Sequence, residues 1–410
     1  MIKMKKILTL ALATTSLLGV SALTSCSGKP KVTDPSQSQL CFSGYIQSDN
    51  NFAVEIYNFS DEDVDLKWYK LNEYYKAKED KVTFSLDLKG VVKAHETYVV
   101  CSGDSSSEVQ AQADYIVEDT SSKGFMSLGT QVITLTYADY TVDSLGTVGY
   151  RSEWGRDITL MRRQDKWHGV GKNYNYKEWL EYPQDTIEYL GQAEPTVTVE
   201  ELLAGPRWDD SYLNTPFVYP QTPGIGTGGA VKAQTKSSYT IDGDTADFYF
   251  YTWDATVAVT NSSYASTYSS GTYKSWARSR YYNLDTPESA PATVEPWGLG
   301  AKARMNSLLE SGHNSDTLYL QSVKGGSVTG NYGRLLSFVY ADSYMVNFIM
   351  VKEGLSQEGK ISQTYDDGMT YKGLPYSTYF KQAEYYAQEN RLGIYGQQDP
   401  YWDYLMNRPK

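Results

Sequence analysis

The stretch Arg280-Tyr-Tyr-Asn-Leu-Asp-Thr-Pro-Glu288 joins a strand-like run to a group of charged and hydroxyl side chains. Successive residues of a strand point to opposite faces, so Arg280 is expected to share its face only with every second residue. Pro287 is expected to end the strand, because proline cannot donate a hydrogen bond to the ladder. Asp285, Thr286 and Glu288 are then predicted to cluster at the mouth of the strand.

Two other pieces of the second half carry similar residue types. Asp242-Gly-Asp-Thr245 lies between aromatic and β-branched runs, which predicts a strand, a tight turn at Gly243 and a second strand. Tyr332-Gly-Arg334 precedes an apolar run that ends at Tyr340, which predicts a strand opening with an arginine. Each piece alone is common, and a plain hairpin turn is the ordinary interpretation of Asp-Gly-Asp.

Together the three pieces supply several carboxylates and two arginines. Oxygen ligands are what Ca²⁺ or Mg²⁺ prefers in proteins. Two guanidinium groups can grip phosphate oxygens and offset the charge that develops in a phosphorane-like transition state. A carboxylate can orient or deprotonate a water molecule. These groups are sufficient for metal-assisted phosphodiester hydrolysis without a His or Ser nucleophile.

In this order, the three pieces resemble the staphylococcal nuclease (thermonuclease) family across residues 230–398. The likeness extends to Met345-Val-Asn347 and to Val351-Lys-Glu-Gly-Leu355. The resemblance implies a C-terminal α+β domain, an OB-type five-stranded barrel with packed helices. Helices are expected at Pro296–Ser311 and Tyr376–Asn390, where apolar residues have helical spacing.

The resemblance also implies a Ca²⁺ site. Asp244 and Asp285 would bind the ion through their carboxylates, and Thr286 through its backbone carbonyl. Asp242 would support these ligands without contacting the ion.

The catalytic roles follow from the same resemblance. Glu288 would order or activate the attacking water, while Arg280 and Arg334 would hold the scissile phosphate and stabilise the developing charge. The alternative for the two arginines is ordinary surface pairing with carboxylates. Asn331 departs from the family, which commonly has a lysine there, so one phosphate contact is expected to be missing.

The chain has 37 tyrosines, which is unusual. An insertion rich in Ser, Thr and Tyr, residues 257–272, is expected to form a lid or an extended hairpin between two barrel strands. Tyr365 and Tyr371 lie in the stretch where the family stacks tyrosines on a nucleotide, although the spacing differs. Aromatic rings can stack on any base, so the resemblance does not identify which tyrosines would stack on the nucleotide.

Residues 40–192 show short alternating strands separated by turns, which favours an Ig-like β-sandwich. Examples are the strand-like runs Phe52–Tyr57, Thr97–Cys101 and Val132–Thr136 and an expected turn at Asp143–Gly146. The whole chain is therefore predicted to be multidomain and mainly β.

The order of these elements resembles a lamin tail domain. The matching stretches are Val54–Leu66, Tyr69–Leu71, Leu86–Val100, Val142–Gly146 and Asp157–Arg163. Trp68 departs from the family, which usually has a glycine before the Tyr-x-Leu strand. The resemblance implies a binding or spacing role toward a surface polymer or protein. For Arg162 and Arg163, a solvated strand is expected in preference to phosphate contacts.

The first 26 residues are predicted to be a lipoprotein signal. Three lysines precede the apolar run Ile7–Leu23, and Leu23-Thr-Ser-Cys26 looks like a bacterial lipobox. Cys26 is the expected lipidation site, which predicts an extracytoplasmic protein anchored to the membrane, at the cell surface. The alternative is an ordinary cleaved signal with a chance cysteine. Residues 27–39 are expected to be a flexible tether.

Two further predictions concern cysteines and domain limits. Cys41 and Cys101 either form a disulfide in an oxidising compartment or are two separately buried thiols. The Pro- and Gly-rich residues 193–229 are predicted to be a linker, and residues 399–410 a C-terminal tail.

The chain has 410 residues and a formal net charge of −12. Three histidines and three cysteines are too few for a zinc cage. Residues 26–227 carry a balance of −13 and residues 228–410 a balance of −2, so the acidity belongs to the N-terminal half. This charge excludes a protein coated with positive charge, but not a nuclease that grips a phosphate briefly.

The sequence therefore predicts a membrane-anchored, Ca²⁺-dependent nuclease that hydrolyses DNA or RNA. The alternative is a surface lipoprotein that binds nucleic acid or protein and whose nuclease fold is inactive.

Overall fold

The structure of the chain is a computed structural model. It describes residues 38–75, 81–118, 125, 128–193, 195, 197–236, 240–253, 263–358, 368–396 and 399–401. The predicted signal, Cys26, nearly all of the tether, the start of the insertion and Tyr365 lie outside the described residues.

In the described ranges, no helix is both long enough and apolar enough to cross a membrane.

The N-terminal region is built from short strands with turns between them, as the alternating pattern predicts. A six-stranded sheet has the order β12-β11-β1-β2-β7-β8, and a four-stranded sheet has the order β10-β9-β4-β5. A short helix, α1 (Ser107–Gln110), precedes β8. The strands are β1 (Leu40–Gln47), β2 (Phe52–Asn58), β3 (Val64–Asp65), β4 (Tyr69–Tyr74), β5 (Phe84–Asp87), β6 (Val91–Val92), β7 (Thr97–Ser102), β8 (Tyr115–Val117), β9 (Val132–Tyr137), β10 (Tyr140–Leu145), β11 (Ile158–Arg162) and β12 (Trp179–Pro183).

The two sheets share one hydrophobic core. Phe42, Val54 and Val100 of the larger sheet pack in the same cluster as Leu71 and Leu135 of the smaller one. Trp68 ends a 3₁₀ helix, Leu66–Trp68, directly before β4. The alternating pattern of the sequence thus belongs to strands of two packed sheets, in which inward-facing residues alternate with outward-facing ones.

The turn predicted at Asp143–Gly146 is wrong. Residues 140–145 form strand β10, and the register with β9 shifts between Thr141 and Asp143. Such a bulge re-aims a side chain. Asp143 is 0% exposed, and its carboxylate accepts a hydrogen bond from Phe42 N at 2.8 Å.

The expectation for Arg162 and Arg163 is also wrong. Arg162 is 1% exposed and is held by the carboxylates of Asp143 and Glu178. Arg163 is buried and donates hydrogen bonds to Asp165 and Gln382. Neither guanidinium is solvated on a strand, and neither is free to contact phosphate.

Cys41 and Cys101 are free, buried thiols, so the separately buried alternative is the one observed. Their strands flank β2, where Cys41 pairs with Tyr57 and Cys101 with Ala53. Two strand spacings alone amount to about 9.5 Å, which exceeds the Cα separation of about 7 Å that a disulfide tolerates.

Much of the predicted linker is ordered and packed. Helix α2 (Val199–Ala204) begins with a capping box between Thr198 and Glu201. A 3₁₀ helix follows at Asp210–Asn214. Strand β13 (Val218–Tyr219) pairs with β14 (Thr222–Thr227), and β14 in turn pairs with β21 (Lys324–Ser327) of the C-terminal region.

The C-terminal region contains a closed five-stranded barrel. Its strands follow the order β18-β16-β15-β20-β22, and parallel pairing of β18 with β22 closes the ring. The interior is filled by Phe248, Leu320 and Val339, each 0% exposed. The remaining strands are β15 (Ala230–Thr235), β16 (Thr245–Phe250), β17 (Ala265–Thr267), β18 (Ser275–Tyr281), β19 (Leu284–Asp285), β20 (Leu318–Gln321), β22 (Leu335–Ala341), β23 (Tyr344–Met345), β24 (Gln357–Glu358), β25 (Thr370–Tyr371) and β26 (Leu374–Pro375).

Three helices pack on the barrel. They are α3 (Gly298–Asn314), α4 (Val346–Lys352) and α5 (Tyr376–Glu389). Helices α3 and α5 confirm the two helical predictions to within a few residues at each end. Of the insertion, the described residues 263–272 include β17, which extends the sheet beside β18.

The two β regions belong to one compact unit, Val32–Lys410. Met161, Leu180 and Tyr182 of the N-terminal sheet lie in the same hydrophobic cluster as Phe380 of α5. Gln382 donates a hydrogen bond to Trp179 O at 2.9 Å. Helix α5 is therefore packed against edge strand β12, a contact between regions that the sequence left open.

Candidate active site

The Asp-Gly-Asp turn places a buried carboxylate beside the segment that carries Thr286. Asp244 directly precedes β16 and is 1% exposed. Its Oδ2 accepts hydrogen bonds from the backbone N and the Oγ1 of Thr286, both at 3.1 Å. Burial raises the pKa of Asp244, while the charge of Arg280 and the backbone donor of Thr286 oppose that rise.

Gly243 allows the turn to approach the Thr286 segment closely. A Cβ at this position would lie 2.8 Å from Thr286 Oγ1 and 3.0 Å from the Cβ of Ala301 in α3. Any side chain would therefore push the turn away from Thr286, on which the position of Asp244 depends.

Arg280 lies between two carboxylates. Pairing of Thr245 with Arg280 brings the end of β18 beside the start of β16. The guanidinium forms an ion pair with Asp244 and another with Asp285 at 3.0 Å, and it donates a hydrogen bond to Leu284 O at 3.0 Å. The Asp285 side chain is 68% exposed, so this cluster is open to solvent on the side of Asp285.

The prediction that Pro287 ends the strand is wrong, because β18 ends at Tyr281. Asn283 has a φ of 58°, and this left-handed turn redirects the chain before Pro287 is reached. Strand β19 then pairs with β24, and Asp285 N donates a hydrogen bond to Ser356 Oγ at 2.9 Å. The turn and this anchor place Asp285 beside Arg280 and Thr286 beside Asp244.

Glu288 lies on an exposed loop that Glu295 holds in place. The backbone N of Glu288 donates to Glu295 Oε2, and the backbone N of Glu295 donates to Glu288 O, both at 2.9 Å. Partial burial, a hydrogen bond with Asp242 and the charges of Asp242, Asp244 and Glu295 raise the pKa of Glu288. Glu288 therefore shares one crowded acidic environment with the Asp242–Asp244 turn.

Arg334 lies next to the strand that neighbours β18. It directly precedes β22, where Leu335 pairs in parallel with Ser279. Its guanidinium lies 5.6 Å from the ring centroid of Tyr332, and no carboxylate among the described residues forms an ion pair with it. In the part of the chain that the structure describes, Arg334 thus has no carboxylate partner, whereas Arg280 has two.

The donor set suits a hard cation in its chemistry. Asp244, Asp285 and the Thr286 carbonyl offer only oxygen, the ligand type that Ca²⁺ takes. Within the described ranges, no three His, Cys, Asp or Glu side chains already converge as metal ligands. Instead, Oδ1 of Asp244 and Oδ1 of Asp285 each form an ion pair with Arg280.

Several supporting residues had no signal in the sequence. Ser356 lies 71 residues from Asp285, and Glu295 is seven positions beyond Glu288 without a recognised motif. Tyr371, one stacking candidate, packs with its ring 6.1 Å from that of Tyr379, against the C-terminal core. Asn331, where a lysine was expected, is exposed.

Comparison with known proteins identifies a nuclease-type domain in the second half. Residues 278–397 match the family described as staphylococcal nuclease homologue. The chain is 33% identical over 118 residues to the SPbeta prophage-derived endonuclease YokF of Bacillus subtilis (strain 168), covering 28% of this chain and 36% of that protein. It is 31% identical over 131 residues to endonuclease YncB of the same strain, covering 32% of this chain and 54% of the relative.

The chain thus spans about a third of one relative and about half of the other. The family match starts at Arg278 and includes Arg280, Asp285, Glu288 and Arg334. Asp244 lies before the match, and its place in the site rests on its contacts with Arg280 and Thr286.

Proposed function

We propose that the chain is a nuclease that hydrolyses phosphodiester bonds of DNA or RNA. The observation that carries this proposal is the placement of two arginines on neighbouring segments of the barrel, one at the end of β18 and one directly before β22. Arg280 is bracketed by Asp244 and Asp285, and Arg334 has no ion-pair partner in the described ranges. A partly exposed group of two guanidiniums and several carboxylates suits a charged, tetrahedral phosphate.

The chain's own residues would divide the reaction between binding and proton transfer. Arg334 and Arg280 would hold the phosphate oxygens in fork geometry and stabilise charge that grows in the transition state. Glu288, which interacts with the acidic Asp242–Asp244 turn, would orient the attacking water and accept its proton.

A Ca²⁺ ion is part of the proposal. Asp244, Asp285 and the carbonyl of Thr286 would hold it, with Asp242 supporting the turn that carries Asp244. When bound, the ion would supply positive charge to the phosphate and to the attacking oxygen.

We also propose that the enzyme is tethered outside the cytoplasm by lipid on Cys26. The lipobox-like Leu23-Thr-Ser-Cys26 supports this, and the N-terminal β-sandwich would then space the nuclease from the membrane or bind a surface partner. Labelling of cells with radioactive palmitate should mark the wild type but not Cys26→Ser. An unlabelled wild type would contradict the anchor.

The activity can be tested on purified protein from Ser27 onward. Linear and single-stranded DNA and RNA should be cut with Ca²⁺ and left intact with excess chelator. Glu288→Gln and Arg334→Ala should each lower the rate by about 10²- to 10³-fold, because each removes one group that acts in the transition state. Glu153→Gln and Arg156→Ala, an exposed pair in the N-terminal region, are matched controls and should cut normally.

Two results would contradict the proposal. Cutting that Glu288→Gln leaves unaffected would assign the base to another residue or to a contaminant. A wild type that binds Ca²⁺ but cuts none of the substrates would move the function to binding.

A further inference from the structure

The outer face of the barrel strands next to the site carries a concentration of rings and cations. Along β16, Ala246, Phe248 and Phe250 point inward and are buried, so the intervening residues face outward. On this outer face and the adjoining hairpin lie Lys232, Lys236, Tyr249, Tyr251, Tyr264, Tyr268, Tyr273, Lys274, Trp276 and Arg278, here called the aromatic–cationic strip.

The rings of the strip are ordered by contacts with one another. Tyr249 stacks on Tyr273 with centroids 4.7 Å apart and an interplanar angle of 11°. Tyr251 lies 5.3 Å from Tyr273. These side chains are half-buried, so each ring is held in position and still reaches solvent.

The cations lie over the same rings. Lys236 Nζ is 3.2 Å from the ring centroid of Trp276, and Arg278 is 5.2 Å from that of Tyr264. Such pairs keep a positive charge beside an exposed aromatic face. The strip therefore offers charge for phosphates and flat rings for bases along the same surface.

The strip is continuous with the candidate active site. Arg280, Arg278 and Trp276 occupy alternate positions of β18, and all three face outward. Alternate residues of a strand are about 7 Å apart, so the strip leads directly from the guanidinium that Asp244 and Asp285 bracket. The strip extends farther because β17, from the insertion, pairs with the start of β18.

The charge of the strip opposes that of the whole chain. Four cations lie on it, and among the described residues two carboxylates, Asp247 and Asp316, pair with Arg278 and Lys232. The protein as a whole has a net charge of −12. A polyanion would therefore be attracted to this face more than to an average part of the surface.

We propose that the aromatic–cationic strip is a binding track for single-stranded DNA or RNA that leads into the active site. Unpaired bases would stack on Tyr249, Tyr273 and Trp276, while the lysines and Arg278 follow the phosphates. Grooves of positive charge lined with rings bind single strands in this manner, and the corresponding strands of OB-type barrels bind oligonucleotides. That the track leads to the active site rests on the proposed nuclease function, which makes Arg280 part of that site.

The test uses the full chain with Glu288→Gln, so that the probe stays intact. Binding of a fluorescent 20-nucleotide oligo-dT is measured by anisotropy at several salt concentrations. Tyr249→Ala with Tyr273→Ala should raise Kd about 10-fold or more, whereas Phe at both positions should keep stacking and affinity. Lys236→Ala should lower the salt dependence by about 0.7 in the slope of log K against log salt.

Lys67→Ala is the matched control, because Lys67 lies over Trp68 in the N-terminal region, 5.3 Å from its ring. It should leave Kd for the probe unchanged. A duplex of the same length and inorganic polyphosphate should both be insensitive to the tyrosine substitutions, since neither presents unpaired bases.

Unchanged affinity in the double tyrosine variant would overturn the track. Equal losses for the duplex or for polyphosphate would also overturn it, because the strip would then be an anion site without base stacking. Cutting by the chain that retains Glu288 is measured separately. If that chain cuts nothing while the tyrosine variant still weakens oligo-dT binding, the track stands and the nuclease function fails.

Discussion

Each half of the molecule contains an arginine held by two carboxylates, and the two clusters differ in exposure. Arg162 in the N-terminal sandwich is 1% exposed, with Asp143 at 2.8 Å and Glu178 at 2.6 Å. Arg280 at the barrel pairs with Asp244 and Asp285, but its side chain is 23% exposed and that of Asp285 is 68% exposed.

The surroundings decide what each cluster can do. Arg162 also donates to Phe42 O at 3.3 Å and lies 5.5 Å from the ring of Trp179, so its donors are used within the protein. Arg280 faces solvent beside a second arginine without a carboxylate partner in the described ranges. The first arrangement stabilises a fold, and the second can exchange partners with a ligand.

Removal of the buried arginine should give the largest effect on stability. Arg162→Ala leaves the carboxylates of Asp143 and Glu178 buried without a counter-charge, which is expected to cost about 3–5 kcal/mol in the free energy of unfolding. Denaturant unfolding followed by fluorescence measures it. Arg156→Ala, from an exposed pair, should cost less than about 1 kcal/mol. A similarly small cost for Arg162→Ala would show that the cluster is not structural.

Substitution of the partly exposed Arg280 should lower activity much more than stability. Arg280→Lys keeps a positive charge near Asp244 but loses the fork geometry, so kcat for DNA cleavage should fall by about 10²- to 10³-fold. The unfolding free energy should change much less than in Arg162→Ala. Single-turnover cleavage and denaturant unfolding of the same preparation separate the two quantities. A large loss of stability with normal kcat would make Arg280 a structural residue.

Glu55 is a buried carboxylate held by neutral donors instead of an arginine. It accepts hydrogen bonds from Ser43 Oγ at 2.6 Å and from Gly191 N, and burial raises its pKa to about 7. Because the pKa of Glu55 is higher in the folded than in the unfolded chain, protonation of Glu55 favours folding. This contribution is fully present below pH 4.5 and is lost as the pH rises through 7.

The expected loss is about 3 kcal/mol between pH 4.5 and pH 8. Unfolding of wild type and Glu55→Gln across this range measures it, because other titrating groups cancel in the difference. The wild type should lose stability relative to the variant as the pH rises. A difference that does not depend on pH would show that Glu55 is ionised throughout.

The smallest effects are expected where α5 meets β12. Gln382 is 2% exposed and bridges Arg163 and the Trp179 carbonyl, so Gln382→Ala leaves buried groups unpaired and should cost about 1–3 kcal/mol. Its neighbour Lys381 pairs with Glu181 at a partly exposed site, and Lys381→Ala should cost less than about 1 kcal/mol. Denaturant unfolding measures the loss of stability in both variants. A larger loss for Lys381→Ala than for Gln382→Ala would show that the ion pair stabilises this interface more than the buried hydrogen bonds do.

Part of the C-terminal region could be predicted from local signals, since helical spacing located α3 and α5. The barrel and the shared site of Asp244, Arg280 and Asp285 were implied by the resemblance to the nuclease family, and the structure brings these three residues into contact. The sequence prediction placed the end of β18 too late in the chain. The chain turns at Asn283, which has a positive φ, and no sequence motif marks an asparagine that adopts this conformation. Proline, the stronger signal, lies just beyond it.

Short-range patterns could not separate the two arginine clusters. Arg162 stands on an alternating strand near two acidic residues, a pattern shared by many solvated strands. Its burial depends on a bulge at Asp143 and on Glu178, which lies at the end of a separate 3₁₀ helix, Tyr176–Glu178. Burial is set by which layers pack together, and alternation alone does not specify that.

The sequence by itself determined the mainly β pattern, the two long helices and the residue types of the candidate site, and the family resemblance implied the barrel. The β pattern and the helices follow from periodicity, and the resemblance rests on motifs whose members are close in the chain. Only the tertiary structure decided that α5 packs on β12, where Arg163 and Gln382 meet across 219 positions. It also aligned the rings and cations of three barrel strands on one face. Such contacts join distant segments, so their geometry exists only once the sheets have closed and the layers have packed.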